Sequence, residues 1–112
     1  MTESPAPALA LERLLAAGKD GALLRFGLGN AYLAAGDATH AVEHFRRALA
    51  FDPDYSAAWK QLGKALAAVG LETDALAAYR DGIAAAERRG DKQALKEMEV
   101  FSRRLAKQLG SG

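Results

Sequence analysis

The chain lacks cysteine altogether, which rules out disulfides and thiolate metal sites and fits a reducing cytosol. Proline is scarce, with three in 112 residues, and β-branched residues are few against abundant alanine. Local propensity is therefore helical nearly throughout, and strands have little support. No apolar run exceeds five residues, far below the roughly 18 needed for a membrane helix. The opening residues, Met1 to Pro7, include Glu3 and carry no basic stretch followed by an apolar one, so no secretory signal is expected. An excess of one charge is missing as well. The formal net charge is +1, which leaves no global field for gripping nucleic acid. Half the residues are apolar and 26% are charged, the balance of an ordinary folded domain. Cytoplasmic residence, no membrane and no nucleic acid are the resulting expectations.

What the chain does contain is a repeat. Residues 22–55 recur 34 positions later as 56–89. Leu28, Gly29, Ala31, Ala34, Gly36, Thr39, Ala41, Arg46 and Ala50 fall on identical residues, and Val42, Phe45 and Leu49 fall on Leu76, Tyr79 and Ile83. A period of this length marks small stacked units, none able to bury its apolar face alone.

The chain divides accordingly. Residues 1–4 read as a disordered end, and 5–20 as an N-terminal helix in which Ser4 caps before Pro5 and Leu11, Leu14 and Leu15 share a face. The first repeat, 22–55, holds a helix to about Ala35, a stop at Gly36, and a helix capped by Asp37 that ends at Asp52-Pro53-Asp54. The second, 56–89, follows suit, with Gly70 as the stop between its helices. Residues 91–109 form a last helix capped by Asp91, whose apolar stripe among charges suits a cap on an open stack, and 110–112 are a flexible tail. Gly29 or Gly63 on the first helix, and Ala41 or Ala75 on the second, are small. Two antiparallel helices can thus approach closely, with Phe45 or Tyr79 filling the space beside them.

These residues resemble the tetratricopeptide repeat. The second unit matches its pattern with Trp59, Leu62, Gly63, Ala75 and Tyr79. The first matches with Leu28, Gly29, Tyr32, Ala41, Phe45, Ala48 and Pro53. Departures stand at Arg25, where tryptophan is usual, Leu66 for tyrosine, Gly82 for alanine, and Glu87 for the closing proline. The resemblance implies an all-α fold, a right-handed superhelix of antiparallel helix hairpins with about six helices in all. It also implies a protein-interaction module, an adaptor or scaffold, that binds a peptide segment in a concave groove lined by the first helix of each pair. By helical phase that groove presents Leu23, Phe26, Asn30 and Leu33, then Lys60, Lys64 and Ala67, with Lys96 from the capping helix. It is half apolar and half basic, which suits a partner with a carboxylate beside an apolar anchor. Two bland readings compete: Lys60 and Lys64 as a solvated pair, and Phe26 as packing against the N-terminal helix. The carboxylate clamp of one subfamily is incomplete, because Phe26 stands for its first lysine and Gln61 for its second asparagine, although Asn30 fits. A second reading of function is self-association through the apolar stripe of the last helix; a monomer is favoured over a homo-oligomer.

Catalytic readings fare poorly. His40-Ala41-Val42-Glu43-His44 matches the inverted zinc-protease pattern. Ala41 and Phe45, however, are the packing positions of that helix, which turns the histidines to an outer face, and no third ligand is apparent. No phosphate loop or nucleophile elbow occurs. The basic residues of the C-terminal quarter, Arg88, Arg89, Lys92, Lys96, Arg103, Arg104 and Lys107, alternate with Glu87, Asp91, Glu97 and Glu99, which are expected to pair with them as a solvated face. No enzyme, no metal and no cofactor are expected.

Overall fold

The computed structural model describes residues 4–111. Six helices occur among them and no strand: α1 (Ala6–Ala16), α2 (Ala22–Ala34), α3 (Ala38–Phe51), α4 (Ser56–Ala68), α5 (Glu72–Arg89) and α6 (Lys92–Ser111). Consecutive helices pack against each other from α1 to α6, giving a slab of 44 × 33 × 18 Å. Its radius of gyration is 14.2 Å, against about 13 Å for a compact domain of this length. The excess reflects a row of hairpins in place of a rounded core.

The turns between helices are built from glycine where the backbone must enter the left-handed region. Gly36 and Gly70 stand at φ 83° and 84°. The next amides, of Asp37 and Leu71, then reach back to the carbonyls of Tyr32 and Leu66 at 2.9 Å, closing helix ends that would otherwise leave carbonyls unpaired. Asp37 caps α3 by accepting from the His40 amide at 3.2 Å. Asp91 caps α6 through the Ala94 amide at 3.1 Å and accepts from the buried Ser56 hydroxyl at 2.7 Å. Both contacts hold the Asp91 carboxyl below its usual range, the serine first. Ser4 does not cap α1. Pro5 takes that place with no side-chain bond, and Ser4 lies instead against the Tyr32 hydroxyl at 3.3 Å. At the far end α6 continues through Gly110 to Ser111, so the expected tail is helical up to Gly112, which lies outside the described residues, as do residues 1–3.

Inside each hairpin the packing is as tight as the small residues suggest. Phe45, Leu28, Leu62, Leu66 and Met98 are the largest fully buried side chains. A Cβ on Gly29 would meet Phe45 Cδ1 at 2.6 Å, and one on Gly63 would meet Tyr79 Cδ1 at 2.6 Å. The ring therefore occupies the space that a side chain on the facing helix would need. Gly82 has the same reason from a different direction. Its missing Cβ would lie 2.5 Å from Met98 Sδ and 2.6 Å from Trp59 Cβ, so α4, α5 and α6 converge there.

Without a closing proline, α5 runs for 18 residues where α3 stops after 14. The added length carries Arg88 and Arg89 back to the turn between the repeats, where they pair with Asp54 at 2.7 Å and Asp52 at 3.0 Å. These partners replace the local ones expected from Glu87 and Asp91. Both pairs are exposed and contribute little each.

Candidate functional site

The first helices of the units touch: α2 meets α4, and α4 meets α6. The second helices do not, since α3 and α5 share no Cα pair within 8 Å. In a row of hairpins the side with the shorter spacing is the inner side of the curve, so α2, α4 and α6 form the inner wall. The sidedness follows from residue size and from bonds across the wall. Phe26 lies 4.8 Å from Tyr55 and 6.0 Å from Phe45, ring centre to ring centre. It thus packs onto α3 and onto the residue that opens α4. Gln61 Nε2 donates to Asn30 Oδ1 at 2.9 Å, tying α4 to α2.

The lysines are committed to the wall as well. Lys60 Nζ pairs with Glu97 of α6 at 3.2 Å, and Lys64 Nζ lies 5.0 Å above the Phe101 ring, a cation over the negative face of the ring. Glu97 is therefore a partner of Lys60 across helices. Leu23 is 75% exposed, Lys64 and Lys96 are exposed, and Phe26, Asn30, Leu33, Lys60 and Ala67 are half-buried. The wall brings α2, α4 and α6 into one surface, although part of its charge is spent internally. Phe101 and Glu97 belong to this wall and were not read from the sequence as part of it, whereas Gln61 was noted only as a departure from a clamp position. Glu97 and Phe101 share one face of a helix whose register the 34-residue period does not set, and that spacing was the available clue.

Arg25, the residue in place of tryptophan, does the anchoring that Trp59 does one repeat later. The Trp59 indole donates to the Pro53 carbonyl at 2.8 Å, fixing α4 to the turn before it. Arg25 fixes α2 to its own preceding turn through Asp20, at 2.8 Å from Nε and 2.9 Å from Nη2, and this fork holds the Asp20 carboxyl below its usual range. Its remaining nitrogen lies 3.2 Å from His44 Nδ1. Arginine can only donate, so His44 accepts at Nδ1 and carries its proton at Nε2. Burial first, and Arg25 second, push the His44 pKa down.

Both histidines of the zinc-protease pattern stack on Tyr32, with ring centres at 5.2 Å for His40 and 5.4 Å for His44. The Tyr32 hydroxyl donates to Glu12 of α1. The bonds from Ser4 and Tyr32 hold the Glu12 carboxyl low, and the bond to Glu12 raises the phenol. His40 Nδ1 lies 2.6 Å from Asp37 Oδ2. These groups bridge α1, α2 and α3. Among the described residues no three His, Cys, Asp or Glu side chains form a group that could hold a metal.

Comparison with known proteins places this geometry in context. The sequence pattern of the TPR repeat family matches residues 22–70. A TPR repeat-containing protein of Pseudomonas aeruginosa is 57% identical over 95 residues, which span 85% of this chain and 90% of that protein. The solution structure of a Bordetella parapertussis protein superimposes with a TM-score of 0.81 at 48% identity, covering 92% of this chain and 90% of that one. The crystal structure of the Sgt2 TPR domain from Aspergillus fumigatus gives a TM-score of 0.79 at 28% identity, covering 94% of this chain and 69% of that one.

Proposed function

We propose, from the premise that the chain belongs to the tetratricopeptide repeat family, that its inner wall binds a peptide segment of another protein. Domains of this family generally mediate protein–protein interaction and are generally not catalytic. No helix among the described residues is long and apolar enough to cross a membrane. The role that fits is a cytoplasmic adaptor or scaffold.

The observation that carries the proposal is the unequal spacing of the helices, with α2, α4 and α6 in contact and α3 and α5 apart. Such curvature leaves one long surface on which a segment can lie across three helices. Its chemistry narrows the partner. Glu97 already neutralises Lys60; Lys64, exposed although it rests over Phe101, and Lys96 are the groove lysines without a carboxylate partner among the described residues. A segment with a single carboxylate beside an apolar anchor suits this wall better than a long acidic run, whose further charges would meet Glu97.

The test is a fluorescence anisotropy titration with short peptides carrying one apolar anchor and either a free or an amidated C-terminus. The free-carboxylate peptides are expected to bind in a salt-dependent way, and Lys64→Glu with Lys96→Glu is expected to abolish it while leaving the Lys60 pair and the helicity intact. Binding indifferent to the carboxylate, or retained in the charge-reversed protein, would count against the inner wall. Self-association is a second reading; Met98 and Leu105 of the last helix's apolar stripe are buried within the chain, so its support is the exposed Leu9, Leu14 and Leu23 at the N-terminal end of the row. Sedimentation across a wide concentration range separates the two, because a monomer keeps the wall free.

A further inference from the structure

The polar bridge between α1 and α3 has a counterpart one repeat on, and there the bridge is missing. Adding the period of 34 to Glu12, Arg25, Tyr32, His40 and His44 gives Arg46, Trp59, Leu66, Asp74 and Ala78. At the first junction Tyr32 spans the space between α1 and α3, its ring against His40 and His44 and its hydroxyl on Glu12. At the second junction leucine stands for that tyrosine and alanine for His44. A cleft of about 230 Å³ opens there between α3 and α5, lined by Arg46, Trp59, Leu66, Asp74, Ala78 and Asp81 among others. It lies on the outer side of the curve and shares Arg46, Trp59 and Leu62 with a neighbouring hollow of about 250 Å³.

Size and charge together select what would fill it. Sites for drug-sized molecules run to roughly 300–1,000 Å³, so this one is the size of a side chain. The Trp59 ring is held in place by its bond to the Pro53 carbonyl, and Leu62 and Leu66, themselves almost wholly buried, close the bottom of the cleft. Arg46 on one wall and Asp74 and Asp81 on the other have no side-chain hydrogen bond or ion pair among the described residues. A cationic guest would face Arg46, an anionic guest would face the two carboxylates, and an aliphatic one would leave all three unmatched. A neutral ring with a hydroxyl meets the floor and can accept from Arg46 while donating to a carboxylate.

We propose that this outer cleft is a second docking site, independent of the inner wall, that takes a tyrosine side chain of a partner protein, ring on Trp59 and Leu66 and hydroxyl on Arg46. The guest has the shape and polarity of the group that the first junction supplies from within. A second copy of this chain is not the source. Tyr32 and Tyr79 are buried, and Tyr55 is half-buried against Phe26.

The experiment titrates N-acetyl-L-tyrosinamide and N-acetyl-L-leucinamide into the isotopically labelled full chain, following the Trp59 indole N–H and the Ala77 and Ala78 amides by NMR. With one side chain buried, the tyrosine probe is expected to give saturable shifts with a Kd on the order of millimolar. The leucine probe, lacking the charged hydrogen bond, is expected to bind about tenfold more weakly. Leu66→Tyr should fill the cleft as Tyr32 fills its own and abolish the shifts. If circular dichroism shows that variant unfolded, Ala77→Trp on the exposed rim serves instead, with the same expectation. Equal response to the two probes, no saturable shift at the cleft, or full response in a folded blocked variant would overturn the assignment.

Discussion

Replacing Gly82 by alanine sets two terms of known sign against each other, and the structure decides between them. In a helix interior alanine is favoured over glycine by about 1 kcal/mol. Against this, the new methyl would stand 2.5 Å from Met98 Sδ and 2.6 Å from Trp59 Cβ. Methionine can swing aside, but a Cβ moves only with its backbone, so α4 must separate from α5 at this point. Overpacking of that kind costs about 1–3 kcal/mol, and two neighbours displaced at once place Gly82→Ala toward the upper end. The expected net effect is a loss of about 1–2 kcal/mol. Gly27→Ala is the control with the same chemistry and a softer neighbour, the terminal methyl of Leu11 at 3.1 Å. It should be neutral or stabilising by up to about 1 kcal/mol. Urea denaturation followed by circular dichroism, with unchanged slope, measures both. If Gly82→Ala proves as stable as Gly27→Ala, the close approach of α4 and α5 is not limiting and the account of the departure at this site fails.

Two further outcomes follow from the polar contacts. Asp91→Ala removes the cap of α6 and strands the Ser56 hydroxyl, 4% exposed, and should cost about 2 kcal/mol, whereas an unchanged urea midpoint would show that neither contact matters; because the Asp91 pKa is depressed, its contribution is present at neutral pH and is lost in acid, as pH falls through its folded value. His44 has a folded pKa below its ordinary 6.5, so the unfolded chain takes up the proton first and stability should fall as pH drops below about 6.5. In His44→Gln that part of the decline should vanish, and an identical pH profile in the variant would remove the role assigned to the Arg25 contact.

How much of this was legible in the sequence depends on where the second partner of each contact lies. Gly29 with Phe45 and Gly63 with Tyr79 were readable because one spatial constraint recurs at a fixed period, and the recurrence exposes it. Arg25 looked like a flaw in the pattern, since its role rests on Asp20 in the preceding turn and His44 on another helix. Gly82 looked like one for the same reason, because its neighbours sit on α4 and α6. The register of α6 was beyond the period altogether. α5 is four residues longer than α3 and α6 lacks the repeat signature, so the assignment of Glu97 to Lys60 and Phe101 to Lys64 could not be projected from the first two units. Ser4 failed as a cap because Pro5 occupies the capping position and the nearby Tyr32 hydroxyl offers it another contact.

The division between legible and illegible contacts is also a division of physical roles. In a stack whose stability is a sum of unit terms and nearest-neighbour terms, the unit term must be met the same way each time, and the hairpin positions 28/62, 29/63, 41/75 and 45/79 keep their residue or its close relative. The junction positions 12/46, 25/59, 32/66, 40/74 and 44/78 change chemistry without exception. They are free to do so because the helices they join, α1 with α3 and α3 with α5, stand too far apart to constrain each other's backbones. The same spacing that relaxes those positions is what leaves α2, α4 and α6 crowded on the opposite side. Variation at the outer junctions and continuity of the inner wall are thus one consequence of curvature, and a residue that breaks the repeat at a junction changes how neighbouring units meet, as Leu66 does in the place of Tyr32.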